Sequence, residues 1–173
     1  MKSKIWGLGL SRTGTTTLSY VLNEMGYRHI HYPTYDEMMS INNDGASDIP
    51  VIPIYKELDQ KFPNSKFIYT TRDKQAWLAS MGPYLERKKT WNQLSCQVQT
   101  RIKVYNQPFF DYNIYSKAYD DHDKDVKEYF KNRPKDLLIL NILSGDKPQK
   151  LYDFLGSSLI PSDVFPHKNK LKK

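Results

Sequence analysis

A glycine-containing stretch near the start of the chain has the residue types of a phosphate-binding loop. It reads GLSRTGTT, with Gly9 and Gly14 separated by four residues and a helical pattern after them. A strand, a glycine turn and a helix start bring free backbone N–H groups and the positive end of the helix dipole together, which favours an anion. Arg12 adds a permanent cation with a planar fork. We therefore predict a phosphate site made by Ser11, Arg12, Thr13, Gly14, Thr15 and Thr16.

The loop lacks the lysine with which a P-loop nucleoside triphosphatase contacts the β- and γ-phosphates. That lysine directly follows the second glycine, and this chain has Thr15 there. The strand predicted at residues 66–71 runs into Arg72, so no acidic strand end of the magnesium-holding kind follows it. The sequence predicts phosphate binding without a metal site.

A second anion site is predicted from Arg72 and Ser80. Ligands of parallel α/β sheets gather at the carboxyl ends of the strands, which is where Arg72 falls. Ser80 follows after slightly more than two helical turns, so the two side chains share one side of a helix. We expect the pair to bind a second phosphate, while a surface arginine paired with Asp73 or a carbonyl remains the alternative.

The remaining pattern predicts the elements that hold these residues. Apolar runs typical of strands occupy residues 4–9, 28–32, 66–71 and 137–142. Apolar residues recur at helical spacing in residues 15–25, 51–62, 90–107, 118–131 and 147–155. Strands that alternate with helices favour an α/β fold with a mainly parallel sheet and helices on both faces. Residues 42–47 are the most loop-like, and we expect an active-site loop there.

Length and composition restrict the class of protein. A chain of 173 residues predicts one domain over residues 1–173. The net charge of +7, part of it in a basic tail at residues 168–173, favours an anionic partner. Cys96 is the single cysteine and suits a reducing compartment. No apolar run has the length of a membrane span, so we expect a cytoplasmic protein.

Together these motifs resemble the P-loop sulfotransferase superfamily, whose members use 3′-phosphoadenosine 5′-phosphosulfate (PAPS). Residues 11–16 resemble its 5′-phosphosulfate loop, and the Arg72–Ser80 spacing resembles its 3′-phosphate site. Segments resembling the short soluble microbial and parasite enzymes lie at residues 46–50, 55–58, 62–68 and 147–156. The resemblance implies a P-loop-type three-layer α/β fold. It also implies PAPS as co-substrate, 3′-phosphoadenosine 5′-phosphate (PAP) as product, and no metal.

The resemblance further implies in-line transfer of a sulfuryl group to a hydroxyl or amine of a small-molecule or glycan acceptor. Arg12 is expected to stabilise charge on the departing oxygen. Asp48 is the first choice for the general base, with a helix cap as its structural alternative. His29 and His31 are further candidates, because imidazole titrates near neutrality.

The acceptor site is expected within residues 84–118, which we predict to be a helical segment. Aromatic side chains available to line it are Trp91, Tyr105, Phe109, Phe110 and Tyr112. About half of such side chains normally belong to the core rather than to a site. The sequence does not identify the acceptor.

Two other functions fit parts of the sequence. A P-loop nucleotide or small-molecule kinase shares the loop and the sheet, but requires the missing lysine and magnesium. A non-catalytic nucleic-acid-binding module explains the positive charge, but not two ordered phosphate motifs. We therefore expect no nucleic-acid partner, and the sequence leaves the oligomeric state open.

Overall fold

The computed structural model describes residues 3–88 and 95–166. The predictions for Trp91 and for the basic tail at residues 168–173 lie outside the described residues. The chain divides into two compact units, one formed by Met1–Thr71 with Arg133–Lys173 and the other by Arg72–Asn132. A single domain over residues 1–173 stays a prediction.

Within the described residues, the first unit contains a five-stranded parallel sheet. Its strands are β1 (Ile5–Gly7), β2 (His29–His31), β3 (Gly45–Ser47), β4 (Lys66–Thr70) and β5 (Leu137–Leu140). They lie in the order β2-β3-β1-β4-β5, and every neighbouring pair is parallel. The chain leaves β1 toward β2 on one side and reaches β4 and β5 on the other. Such a reversal creates the crevice at the carboxyl strand ends where α/β proteins bind ligands.

Seven α-helices occur in the described ranges, four of them in the first unit. These four are α1 (Thr15–Glu24), α2 (Tyr35–Met39), α3 (Tyr55–Lys61) and α7 (Gln149–Leu155). The second unit contains α4 (Lys74–Glu86), α5 (Cys96–Tyr105) and α6 (Tyr112–Phe130). None of the described helices combines the length and the apolar composition of a membrane span.

Helices cover both faces of the sheet in the first unit. On one face, Leu18 and Leu22 of α1 and Leu151 of α7 pack with Ile5 and Leu138 of the strands. On the opposite face, the ring of Trp6 lies 5.8 Å from that of Phe62, which directly follows α3. Alternate strand residues therefore bury both faces, as expected for a parallel sheet. The predicted α/β fold with P-loop-type layers is confirmed.

The prediction of a loop at residues 42–47 is wrong for its second half, because Gly45–Ser47 forms β3 between β1 and β2. A strand of three small residues is too short to show an alternating pattern. Gly45 approaches β1 so closely that a Cβ atom would lie 1.8 Å from the Ile5 carbonyl oxygen. The preceding Asn43 is buried and accepts a hydrogen bond of 3.0 Å from the Lys4 ammonium. Its polar side chain suggested a surface loop, but it is satisfied inside the protein.

Other boundaries differ from the prediction for local reasons. The helix predicted at residues 118–131 begins earlier, as α6, because Asp111 caps it by accepting from the Ile114 amide at 2.9 Å. The helix predicted at residues 51–62 is a 3-10 turn, Ile52–Ile54, followed by α3. The sequence did not predict α2, which starts with a capping box formed by Thr34 and Glu37.

The second unit is a helical cluster in which α4 and α5 pack against α6. Aromatic rings form its centre: Tyr105 of α5 stacks on Tyr115 of α6 with 4.6 Å between centroids. Trp77 of α4 is fully buried beside both rings. Asp73 caps α4 by accepting from the Ala76 amide at 2.8 Å.

Candidate active site

The loop after β1 leads into a helix whose first turn carries no side-chain cap. Gly14 is the N-cap residue of α1, with φ of 106° and ψ of 15°, a left-handed conformation that favours glycine. No acidic residue lies in the first turn of α1. The first amides of a helix have no partner within the helix, and its dipole adds partial positive charge there. The start of α1 therefore has the properties of the predicted anion site.

Close packing fixes the course of this loop. A Cβ atom on Gly9 would lie 1.8 Å from Thr70 Oγ1 and 2.6 Å from Thr13 Oγ1. The Thr13 hydroxyl donates to the Leu10 carbonyl at 2.7 Å and lies 2.8 Å from Thr70 Oγ1 at the end of β4. Its single proton is thus used within the loop, which fits a structural role better than the predicted contact with phosphate.

Non-glycine residues with left-handed backbone follow three adjacent strands. Arg12 has φ of 72° after β1, Tyr32 has 58° after β2, and Asp48 has 87° after β3. Such conformations cost about 1–3 kcal/mol each and persist where the surrounding structure holds them, often at functional sites. Sequence reasoning did not detect this strain, since none of the three positions has a glycine to signal it.

The side chain of Asp48 is 8 % exposed, and its carboxylate is bonded at both oxygens. Oδ1 accepts from the Ile49 amide at 2.8 Å and from the Ser11 hydroxyl at 3.2 Å. Oδ2 lies 3.0 Å from His31 Nε2. Hydrogen bonds of this kind compensate the desolvation of a buried carboxylate.

His31 is the last residue of β2 and lies beside the start of α1. Its Nε2 atom is 3.3 Å from Thr15 Oγ1 and 3.1 Å from Thr16 Oγ1, in addition to its contact with Asp48. The imidazole is about one-third exposed. The structure therefore brings two predicted base candidates, Asp48 and His31, to the predicted phosphate loop.

His29, the third base candidate, is not brought to the loop. It lies on the same face of β2 but one helical turn further along α1, where Nδ1 is 3.1 Å from Ser19 Oγ. The side chain is 5 % exposed, and burial lowers the pKa of His29 to about 3. Such a histidine stays neutral at physiological pH and fits a packing role.

Arg72 and Ser80 belong to the second unit. Arg72 immediately precedes the Asp73 cap, and its carbonyl accepts a hydrogen bond of 2.5 Å from the Tyr119 hydroxyl. Ser80 lies in α4 and is partly buried. Their assignment to a second phosphate stays a prediction.

The segment at residues 84–118 contributes to a half-open pocket of about 430 Å³ in the second unit. Its lining is mainly apolar and includes Phe109 and Phe110, two of the predicted aromatics. Tyr105 is fully buried in the aromatic centre instead. The acceptor site stays a prediction.

In the part of the chain that the structure describes, no group of three or more His, Cys, Asp or Glu side chains is arranged to hold a metal ion. Function without a metal stays a prediction.

Sequence reasoning missed two contacts around the loop. Ile142, which follows β5, packs closely against Gly14. A Cβ atom on Gly14 would lie 3.2 Å from the Cβ atom of Ile142. Thr70 supports Thr13 from the end of β4. A hydroxyl residue at a strand end was the available signal for Thr70, whereas nothing in the local sequence marks Ile142.

Comparison with known proteins supplies independent information on the family of this chain. Residues 34–173 match the family described as the sulfotransferase domain, a range that includes Asp48, Arg72 and Ser80 and begins after the phosphate loop. The chain is also 27 % identical, over 118 residues, to Ava biosynthesis cluster protein M of Aspergillus versicolor. That alignment covers 51 % of this chain and 45 % of the relative, so the chain spans less than half the relative's length. Because the family match extends over most of its residues, this chain belongs to the sulfotransferase domain family.

Proposed function

We propose that this chain is a transferase that moves a sulfuryl group from PAPS to a hydroxyl or amine of a small-molecule or glycan acceptor. The observation that carries the proposal is the uncapped start of α1, with Asp48 and His31 beside it. An anion site and a proton-accepting group at one place are what sulfuryl transfer requires. Membership of the sulfotransferase domain family supports the same reaction.

The loop holds the 5′-phosphate end of the donor. Backbone amides in the first turn of α1 and the hydroxyls of Thr15 and Thr16 contact the phosphate oxygens. Arg12 stabilises the charge that develops on the phosphate oxygen as its bond to sulfur breaks. The transferred sulfuryl group carries less charge than a γ-phosphoryl group, so the arrangement works through positioning and fixed charges without a divalent cation.

The pair of Asp48 and His31 accepts the proton of the attacking hydroxyl. Asp48 is buried with both oxygens bonded. We therefore assign to Asp48 the role of orienting His31, and not direct contact with the acceptor. When the Nε2–H group donates a hydrogen bond to Asp48, Nδ1 carries the lone pair that receives the proton of the acceptor hydroxyl. As the new oxygen–sulfur bond forms, PAP leaves and the imidazolium is stabilised by the carboxylate of Asp48.

Arg72 and Ser80 bind the 3′-phosphate in this proposal. The assignment rests on their spacing and on the resemblance of this spacing to that of the family. Binding of the 3′-phosphate would distinguish PAP from ordinary adenine nucleotides, which lack a 3′-phosphate.

Thermal unfolding in the presence of nucleotides tests the donor assignment. Saturating PAP in excess EDTA should raise the Tm by roughly 5–10 °C, since a ligand at about 100 times its Kd adds about 2.7 kcal/mol. ATP should raise it far less. Arg12→Ala should reduce the shift, because it removes the cation of the loop.

Arg28→Ala serves as the charge-matched control and should keep the shift caused by PAP. Arg28 is an exposed arginine before β2, at the opposite end of the strand from His31. Equal shifts from PAP and ATP, or none from either, would remove the donor assignment. A larger shift from ATP with magnesium would favour a kinase.

A further inference from the structure

The hydroxyl of Ser11 makes a contact that its place in the phosphate loop did not predict. Ser11 is 7 % exposed, and its Oγ donates to Asp48 Oδ1 over 3.2 Å. The two residues are separated by 37 positions in the sequence. One follows β1 and the other follows β3, which is the neighbouring strand. The contact thus links the donor loop to the proton-accepting pair.

The orientation of Asp48 depends on donors to one of its two oxygens. The Ser11 hydroxyl and the Ile49 amide both bond Oδ1, which leaves Oδ2 directed at His31 Nε2, 3.0 Å away. The left-handed backbone of Asp48, with φ of 87°, is a conformation that needs support from its surroundings. Removal of one donor from a buried carboxylate costs free energy, and it weakens the bonding that holds Oδ1 in this orientation.

We propose that Ser11 is a positioning residue for His31, acting through Asp48, and not a ligand of the donor phosphate. Its role in turnover rests on the proposed function. The loop that binds the donor then also sets the place of the base, so that donor and base keep a fixed relation. Small errors in such a relation are costly in enzymes, because reacting groups must lie about 3–3.5 Å apart and aligned.

The surroundings of His31 make this link measurable. Asp48 contacts it from the end of β3, and His29 is the other titratable group on β2 itself. The first turn of α1 presents the hydroxyls of Thr15 and Thr16 to its Nε2. Asp48 is therefore the acidic contact through which Ser11 acts.

NMR titration of the histidine rings in the ligand-free protein tests the positioning role. Ser11→Ala should shift the titration midpoint of His31 in the otherwise wild-type chain, and should have no effect in an Asp48→Asn background. Ser19→Ala is the matched control: its hydroxyl lies 3.1 Å from the ring of His29, so it should change the signals of His29 and leave the midpoint of His31 in place. An unchanged midpoint in Ser11→Ala, or equal shifts in both backgrounds, would overturn the proposal.

Calorimetric titration with PAP separates the two roles of a loop serine. Ser11→Ala should bind PAP with nearly the wild-type Kd. Loss of a hydrogen bond to a charged phosphate would weaken binding by about ten-fold or more, and that result would assign Ser11 to the phosphate instead. If the wild-type chain does not bind PAP, the proposed function fails, whereas the ligand-free NMR titration still decides the link from Ser11 to His31.

Discussion

Two histidines on one face of β2 have opposite surroundings, and the difference decides what each can do. His31 ends the strand beside the uncapped start of α1 and contacts a carboxylate. His29 lies one helical turn further along α1, buried against Ser19. The sequence places both on one face, because alternate strand residues point the same way. It does not show which of them lies beside the start of α1, since that depends on how β2 packs against α1.

The pH dependence of stability tests the assignment of His29. Burial lowers its pKa to about 3 from an ordinary value of 6.5, so between these values the unfolded chain binds a proton that the folded chain excludes. Stability then rises with pH. The contribution of neutral His29 to the free energy of unfolding is fully present above about pH 6.5. It is lost toward acid pH at about 1.4 kcal/mol per pH unit.

Urea unfolding at about pH 7 and about pH 5 measures this loss. Wild type should lose more stability between the two pH values than His29→Gln, whatever the stability of the variant at neutral pH. Equal losses in the two proteins would contradict the burial of a neutral imidazole at position 29.

At the scale of elements, β3 is the strand on which the site depends and the one that sequence reasoning missed. It places Asp48 beside the loop, between the ends of β1 and β2. The elements predicted well, α1, β4 and α7, have longer apolar patterns or clear stop signals such as Gly156. Three small residues after buried polar ones are too few to give such a pattern, and the strands with which they pair lie far away in the sequence.

Gly45→Ala tests the packing of β3 against β1. The new Cβ atom would lie 1.8 Å from the Ile5 carbonyl oxygen, so one backbone must move. Gly26→Ala is the matched control: φ is 88° there and 144° at Gly45, but a Cβ atom at position 26 has no heavy atom within 4 Å among the described residues. Both variants carry backbone strain, and Gly45→Ala should lose about 1–3 kcal/mol more in urea unfolding. Equal losses would show that position 45 has room for a side chain.

At the scale of the whole molecule, the predicted site residues divide between the two compact units. The loop and the pair of Asp48 and His31 belong to the first unit, and Arg72 and Ser80 to the second. The predicted α/β fold is confirmed, because its strands and helices have local patterns. The loop and three base candidates were also predicted from the sequence, and the structure brings two of these candidates, Asp48 and His31, to the loop. The bond from Ser11 to Asp48 had no local signal, because it joins residues 37 positions apart. The bond from Thr13 to Thr70 spans 57 positions, and a hydroxyl residue at a strand end was its one available signal.

Calorimetric titration with PAP and with 5′-AMP, which lacks the 3′-phosphate, tests most directly whether the chain recognises a doubly phosphorylated adenosine. The wild-type chain in EDTA should bind PAP about ten-fold or more tightly than AMP, as expected for bonds to a second charged group. Arg72→Ala should lose most of this preference, whereas Arg87→Ala, an exposed arginine just beyond α4, should keep it. Equal affinities of the wild-type chain for PAP and AMP would contradict the account.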